Sequence, residues 1–159
     1  MLSLRVMGAV LLGISGTVGA YMLNRRLSAT LDWMEAWGAM IRLARMQVSC
    51  FSLPVSEILR RADPALLRRC GWRGERMGES MAEFYALCES RDEACDAVLK
   101  AFAKDFGGGY REEQLRQCDY YLACLQQRRD SLAQELPRRK KLNTTLCICG
   151  TLCALILLW

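Results

Sequence analysis

The sequence contains no histidine. That absence removes Ser-His-Asp and Cys-His catalysis, histidine metal ligands and a histidine acid–base pair. Proline is scarce, with three residues at 54, 64 and 137. No segment alternates apolar and polar residues over a useful length, so no strand is expected. There is no GxxxxGK[ST] phosphate loop. Gly107-Gly108-Gly109 follows a helical pattern rather than a strand, so it reads as a hinge or helix end and not as a dinucleotide loop. Acid is missing from both ends, because all 17 acidic residues fall between Asp32 and Glu135. These absences point away from an enzyme and from a cofactor.

Uncharged apolar runs occupy those acid-free ends. Val6 to Leu23 and Leu142 to Trp159 are each 18 residues without a charge. As helices they would be about 27 Å long, close to a hydrocarbon core of about 30 Å. We therefore expect a transmembrane helix over 6–23, a helical domain over 24–141 and a second transmembrane helix over 142–159. Arg25, Arg26, Arg138, Arg139, Lys140 and Lys141 flank the runs on the side of the middle segment, against Arg5 and the α-amine on the other. The positive-inside rule then puts the middle segment in the cytoplasm and both termini outside. With the flanking cations set aside, the middle segment has 15 basic and 17 acidic residues. It has no excess cation with which to hold nucleic acid. A cleaved signal peptide is the competing reading of the N-terminus, with Val18-Gly19-Ala20 as its small-residue site; Arg25 and Arg26 oppose it.

The middle segment reads as helical throughout. Leu27, Leu31, Met34, Trp37, Ile41, Ala44 and Val48 recur at three or four residues, broadened by Trp33 and Met40. The first helix is expected to run unbroken to about Cys50. Ser52 is the expected N-cap of a short helix over Pro54–Ala62, and Asp63 that of a third, ended by Gly71. "WRGERMGES" reads as loop. Helices are expected over about Glu79–Glu89 and Arg91–Lys104. A last one should begin at Tyr110 or Arg111, carry Leu115, Cys118, Leu122, Leu125, Leu132 and Leu136 on one face, and be kinked or interrupted at Pro137. The fold class is all-α: an antiparallel bundle of five or six helices whose first and last members pair and bring the two apolar runs together.

Two constellations invite function. Arg60, Arg61, Arg68, Arg69, Arg73 and Arg76 place six arginines within 17 residues. Such a patch suits an acidic partner or anionic headgroups; the plainer reading is a solvated face. In the first run Ala9, Gly13, Thr17 and Ala20, with Gly16 beside them, form a small-residue face for helix packing against Gly150 or another protein. The nine cysteines include Cys147, Cys149 and Cys153 in the second run, which suggests a membrane-anchored thiol or metal protein as an alternative. On a helix Cys149 and Cys153 share a face while Cys147 points away, and a closed zinc site needs four ligands. Small apolar filler is the simpler role.

The order of features resembles the stage III sporulation protein AB family. The carrying features are "LNRRLSATL" after the first run, "SLPVSEIL", "FGGGYREEQL" with Gly107 and Gln114, and "CGTLCALIL" with Gly150. The family turn usually reads Leu-Gly-x-Ser-Asp; here Gly109 and Tyr110 replace the serine and the acid. The resemblance implies a non-enzymatic component of the apparatus spanning the two membranes around a developing endospore. It would sit in the mother-cell membrane facing the forespore. Its helical domain would be similar to platform-protein domains of type II secretion and type IV pilus machines. The implied partners are the membrane, other channel subunits, a cytoplasmic hexameric ATPase and further copies of the chain.

Overall fold

The computed structural model describes the backbone of residues 2–74 and 76–158, and the side chains of residue 15 and of residues 17–74, 76–150 and 152–153. Among the described residues the fold is all-helical, with six helices: α1 (Leu2–Phe51), α2 (Val55–Arg61), α3 (Pro64–Arg69), α4 (Met81–Ala86), α5 (Glu93–Asp105) and α6 (Arg111–Leu158). The chain forms two compact units, Thr30–Ser131 and Met1–Ala29 with Leu132–Trp159.

The unit Thr30–Ser131 has a dense aromatic core. Met34, Trp37, Ile41, Ala44 and Val48 are buried as their spacing requires, and so are Trp33 and Met40. They meet Ile58, Leu59, Leu67, Met81, Phe84, Leu99, Phe102 and, from α6, Cys118, Tyr121, Leu122 and Leu125. α1 and α6 pair antiparallel here. Arg45 Nε lies 2.6 Å from Asp119 Oδ1, and Arg129 Nη2 lies 3.3 Å from Glu35 Oε1. The step at Arg129 in the apolar pattern of α6 is thus an ion pair at the bundle surface.

Local chemistry sets most helix limits. Asp63 caps α3 by accepting the Ala65 N–H at 2.8 Å, and Pro64 opens it. At its far end Gly71 N–H donates to Arg68 O and Trp72 N–H to Leu67 O, the paired bonds of a Schellman turn. Gly71 takes φ +100°, and a Cβ there would lie 2.6 Å from Glu89 O. Only glycine suits both demands. Ser80 and Asp92 cap α4 and α5 by accepting the Glu83 and Cys95 N–H groups.

Four expectations need correction. Ser52 is not a cap: it adopts φ 50° and ends α1, while Pro54 occupies the N-cap of α2 with no side-chain bond. Leu53, preceding a proline, is disfavoured in helix, so α2 starts only at Val55. α4 is shorter than Glu79–Glu89, because Cys88 forms a bridge with Trp72 and Glu89 N–H donates to Gly71 O. The segment "WRGERMGES" has no helix among its described residues, as expected, and the same bridge ties its first residue, Trp72. Finally, of the two outcomes expected at Pro137, a kink or an interruption, the interruption does not occur: α6 runs through it. The proline removes one backbone bond, and both it and Ala133, whose carbonyl loses its donor, are exposed to water that can replace it.

Within the other unit, α1 and α6 are joined by polar side chains. Lys140 Nζ donates to Ser28 Oγ at 2.9 Å, and Asn24 Nδ2 lies 3.5 Å from Thr144 Oγ1. Among the described residues no helix is long and apolar enough to cross a membrane. The expected spans Val6–Leu23 and Leu142–Trp159 lie in part outside those residues.

Candidate interaction surfaces

The six arginines are brought close in the chain by two short helices, but they do not act alike. Arg60 and Arg61, in the last turn of α2, share Glu57: Arg61 Nε lies 2.9 Å from Oε1 and Arg60 Nη1 3.9 Å from Oε2. Arg73 pairs with Glu89. Arg68, Arg69 and Arg76 are exposed, with no ion-pair partner among the described residues. Cations in the last turns of α2 and α3 also complement the negative helix ends. Part of the cluster thus has structural work, and three members are left over.

The C-cap of α3 is held by a contact that sequence reading missed. The Cys70 carbonyl accepts from two indoles, Trp33 Nε1 at 2.9 Å and Trp37 Nε1 at 3.0 Å. A helix-end carbonyl has no intrahelical donor; two donors from successive turns of α1 occupy both lone pairs. The i, i+4 tryptophan pair was the available signal, although nothing in the sequence names its acceptor.

At the opposite end of the same unit, large apolar side chains face solvent. Phe51 is 65% exposed and Tyr110 89%. They flank a junction where the Arg111 guanidinium donates to Ser49 O and Gly107 abuts Val55. Gln114 Nε2 donates to Gly109 O at 2.8 Å, tying the glycine turn to the first turn of α6.

A groove of about 570 Å³ lies between α4 and α5, lined by Ala82, Tyr85, Ala86, Cys88, Asp96, Lys100, Ala101, Ala103 and Lys104. The Tyr85 hydroxyl donates to the Asp96 carboxylate; this bond holds Asp96 below the usual carboxylate range, while burial pushes Tyr85 up. Burial also pushes the Cys88 thiol up to about 12, so it is no nucleophile at neutral pH. The same cause raises Cys95 to about 12 and Cys118 to about 11. Among the described residues, no group of three or more Cys, Asp or Glu could hold a metal ion. Cys147 is half-buried, and Cys149 and Cys153 are exposed.

Of the small-residue face, Ala20 is buried and Thr17 exposed. The side chain of Ala9 and the surroundings of Gly13 and Gly16 lie outside the described residues. A Cβ at Gly150 would meet nothing within 4 Å among the described residues.

Comparison with known families places the chain in one of them. The family model of stage III sporulation protein AB matches residues 5–159. No curated protein and no solved structure matches the chain.

Proposed function

We propose, from the premise that this chain belongs to the stage III sporulation protein AB family, that it is a non-enzymatic membrane platform of a sporulation channel. The family ties the chain to stage III of sporulation. The platform role goes further. It is supported chiefly by the antiparallel pairing of α1 and α6 in the unit Thr30–Ser131, seen in Arg45–Asp119 and Glu35–Arg129. That pairing puts Thr30 and Ser131, the two ends of the unit, on the same side of it. A cytoplasmic body on two neighbouring anchors is the form a platform requires.

On this reading Val6–Leu23 and Leu142–Trp159 cross the mother-cell membrane and the termini lie outside. The end bearing Phe51 and Tyr110, opposite the end of the body at which both chain segments leave, meets a cytoplasmic polypeptide, for which a hexameric ATPase is the candidate. Exposed aromatics beside a glycine turn are the kind of side chain that dominates protein interfaces. Arg60 and Arg61 offer an acidic partner a second contact. Affinity purification of the full chain from detergent-solubilised sporulating cells tests the proposal. It should recover a hexameric ATPase and small membrane proteins, and a Phe51→Ser, Tyr110→Ser double variant should lose the ATPase while keeping the membrane partners. Recovery of the chain without an ATPase would remove the platform reading.

A further inference from the structure

The end of the unit Thr30–Ser131 from which both chain segments leave carries arginines that no ion pair among the described residues engages. Trp33 and Trp37, in the first turns after Thr30, hold the end of α3 through the Cys70 carbonyl. Arg68 and Arg69 occupy the last turn of α3, immediately before that carbonyl. Arg76 follows on the loop tied by the Trp72–Cys88 bridge, and its own carbonyl accepts from Trp72 Nε1 at 3.3 Å. The acids near this end are largely engaged: Glu35 by Arg129, Asp92 by Arg128 and Glu89 by Arg73. Among the described residues Asp32, Glu79 and Glu93 carry no ion pair, against Arg68, Arg69, Arg76 and Arg91.

The chain itself supplies what lies beyond. Six residues, Asn24 to Ala29, separate Thr30 from the uncharged run that ends at Leu23. A helix covers that in about 9 Å, and Trp33 and Trp37, which hold the end of α3, lie about 5–10 Å further along it, a distance that the headgroup layer and the long arginine side chains bridge between them. So short a tether keeps Thr30 near any surface into which the run inserts. A guanidinium binds a phosphate diester through two parallel N–H···O bonds, and its charge is permanent.

We infer that Arg68, Arg69 and Arg76 bind the phosphates of anionic phospholipid headgroups, orienting the body beneath the membrane. This rests on the spanning reading given above. Each cation within reach of an anionic surface strengthens attachment roughly fivefold at low salt.

The full chain, embedded in nanodiscs of phosphatidylcholine alone or with roughly one-third phosphatidylglycerol, is treated with phenylglyoxal, and arginine modification is followed by mass spectrometry. Arg116, exposed near the start of α6, serves as the reference. We expect modification of Arg68, Arg69 and Arg76 to slow about threefold or more in the anionic discs, and the difference to vanish at about 1 M salt, where the screening length falls to about 3 Å. Arg116 should be modified equally in both. Equal rates at the three arginines in both discs, with the chain still embedded, would overturn the headgroup contact and leave the spans intact. Failure of the chain to stay with either disc would overturn the spanning reading and this inference with it. Protection produced by added polyglutamate and not by anionic lipid would overturn it in favour of an acidic protein partner.

Discussion

The Cys70 carbonyl offers a stringent test of how the body is held. Trp33 and Trp37 are essentially fully buried, and both indoles donate to this one acceptor. Replacing either tryptophan with phenylalanine removes one bond, worth about 1 kcal/mol, and leaves a small void of similar cost. The carbonyl keeps the other donor, so it is not orphaned. Each single variant should therefore lose about 1–3 kcal/mol. The double variant should lose more than the sum, because a buried helix-end carbonyl is then left without a partner, at a further cost of about 1–3 kcal/mol. Urea unfolding followed by far-UV circular dichroism gives the four stabilities of the cycle. A coupling of about 1 kcal/mol or more is expected. Additivity within about 0.5 kcal/mol, the behaviour of independent sites, would refute the shared acceptor.

Three further outcomes follow from the geometry. Gly71→Ala should cost at least about 2 kcal/mol, since φ is +100° and the added Cβ would lie 2.6 Å from Glu89 O. Gly38→Ala should instead stabilise by about 0.5–1 kcal/mol: its Cβ would sit 3.4 Å from Arg42 Nη1 and 3.7 Å from Leu125 Cδ2, ordinary contacts, and alanine is the better helix former. Equal signs in the same urea assay would contradict the packing described. The body should also weaken in alkali: burial raises Cys118 from 9.0 to about 11, Cys88 and Cys95 from 9.0 to about 12, and Tyr121 from 10.0 to about 12. A raised folded pKa gives stability that is complete below the ordinary value and lost as pH climbs through the shifted one, so thermal midpoints should fall between about pH 9 and 12. Tyr121→Phe should flatten the upper part of that decline, and an unchanged slope would exclude Tyr121 from it.

The long helices were legible because their signal is periodic and repeated. Met34, Trp37, Ile41, Ala44 and Val48 define one face of α1 without reference to any partner. Caps were legible where the chemistry is local, as at Asp63-Pro64 and Gly71. Reading failed where distant groups decide. The short α4 reflects the Trp72–Cys88 bridge, and the two-indole contact at Cys70 joins residues more than thirty positions apart. The arginine cluster looked uniform because counting charges ignores Glu57 and Glu89, which engage three of its six members. The interruption considered at Pro137 fails for another reason: a proline excludes one bond, and an exposed helix can surrender that bond to water without ending.

The central claim is that two apolar runs anchor a cytoplasmic body, and Cys50 reports on it directly. Cys50 is exposed, at the end of α1 within the unit Thr30–Ser131. A membrane-impermeant maleimide should modify it in inside-out vesicles from an endospore-forming host and leave it unmodified in intact protoplasts, with the chain resisting extraction by alkaline carbonate. Modification of Cys50 in intact protoplasts, or release of the chain by carbonate, would contradict the account.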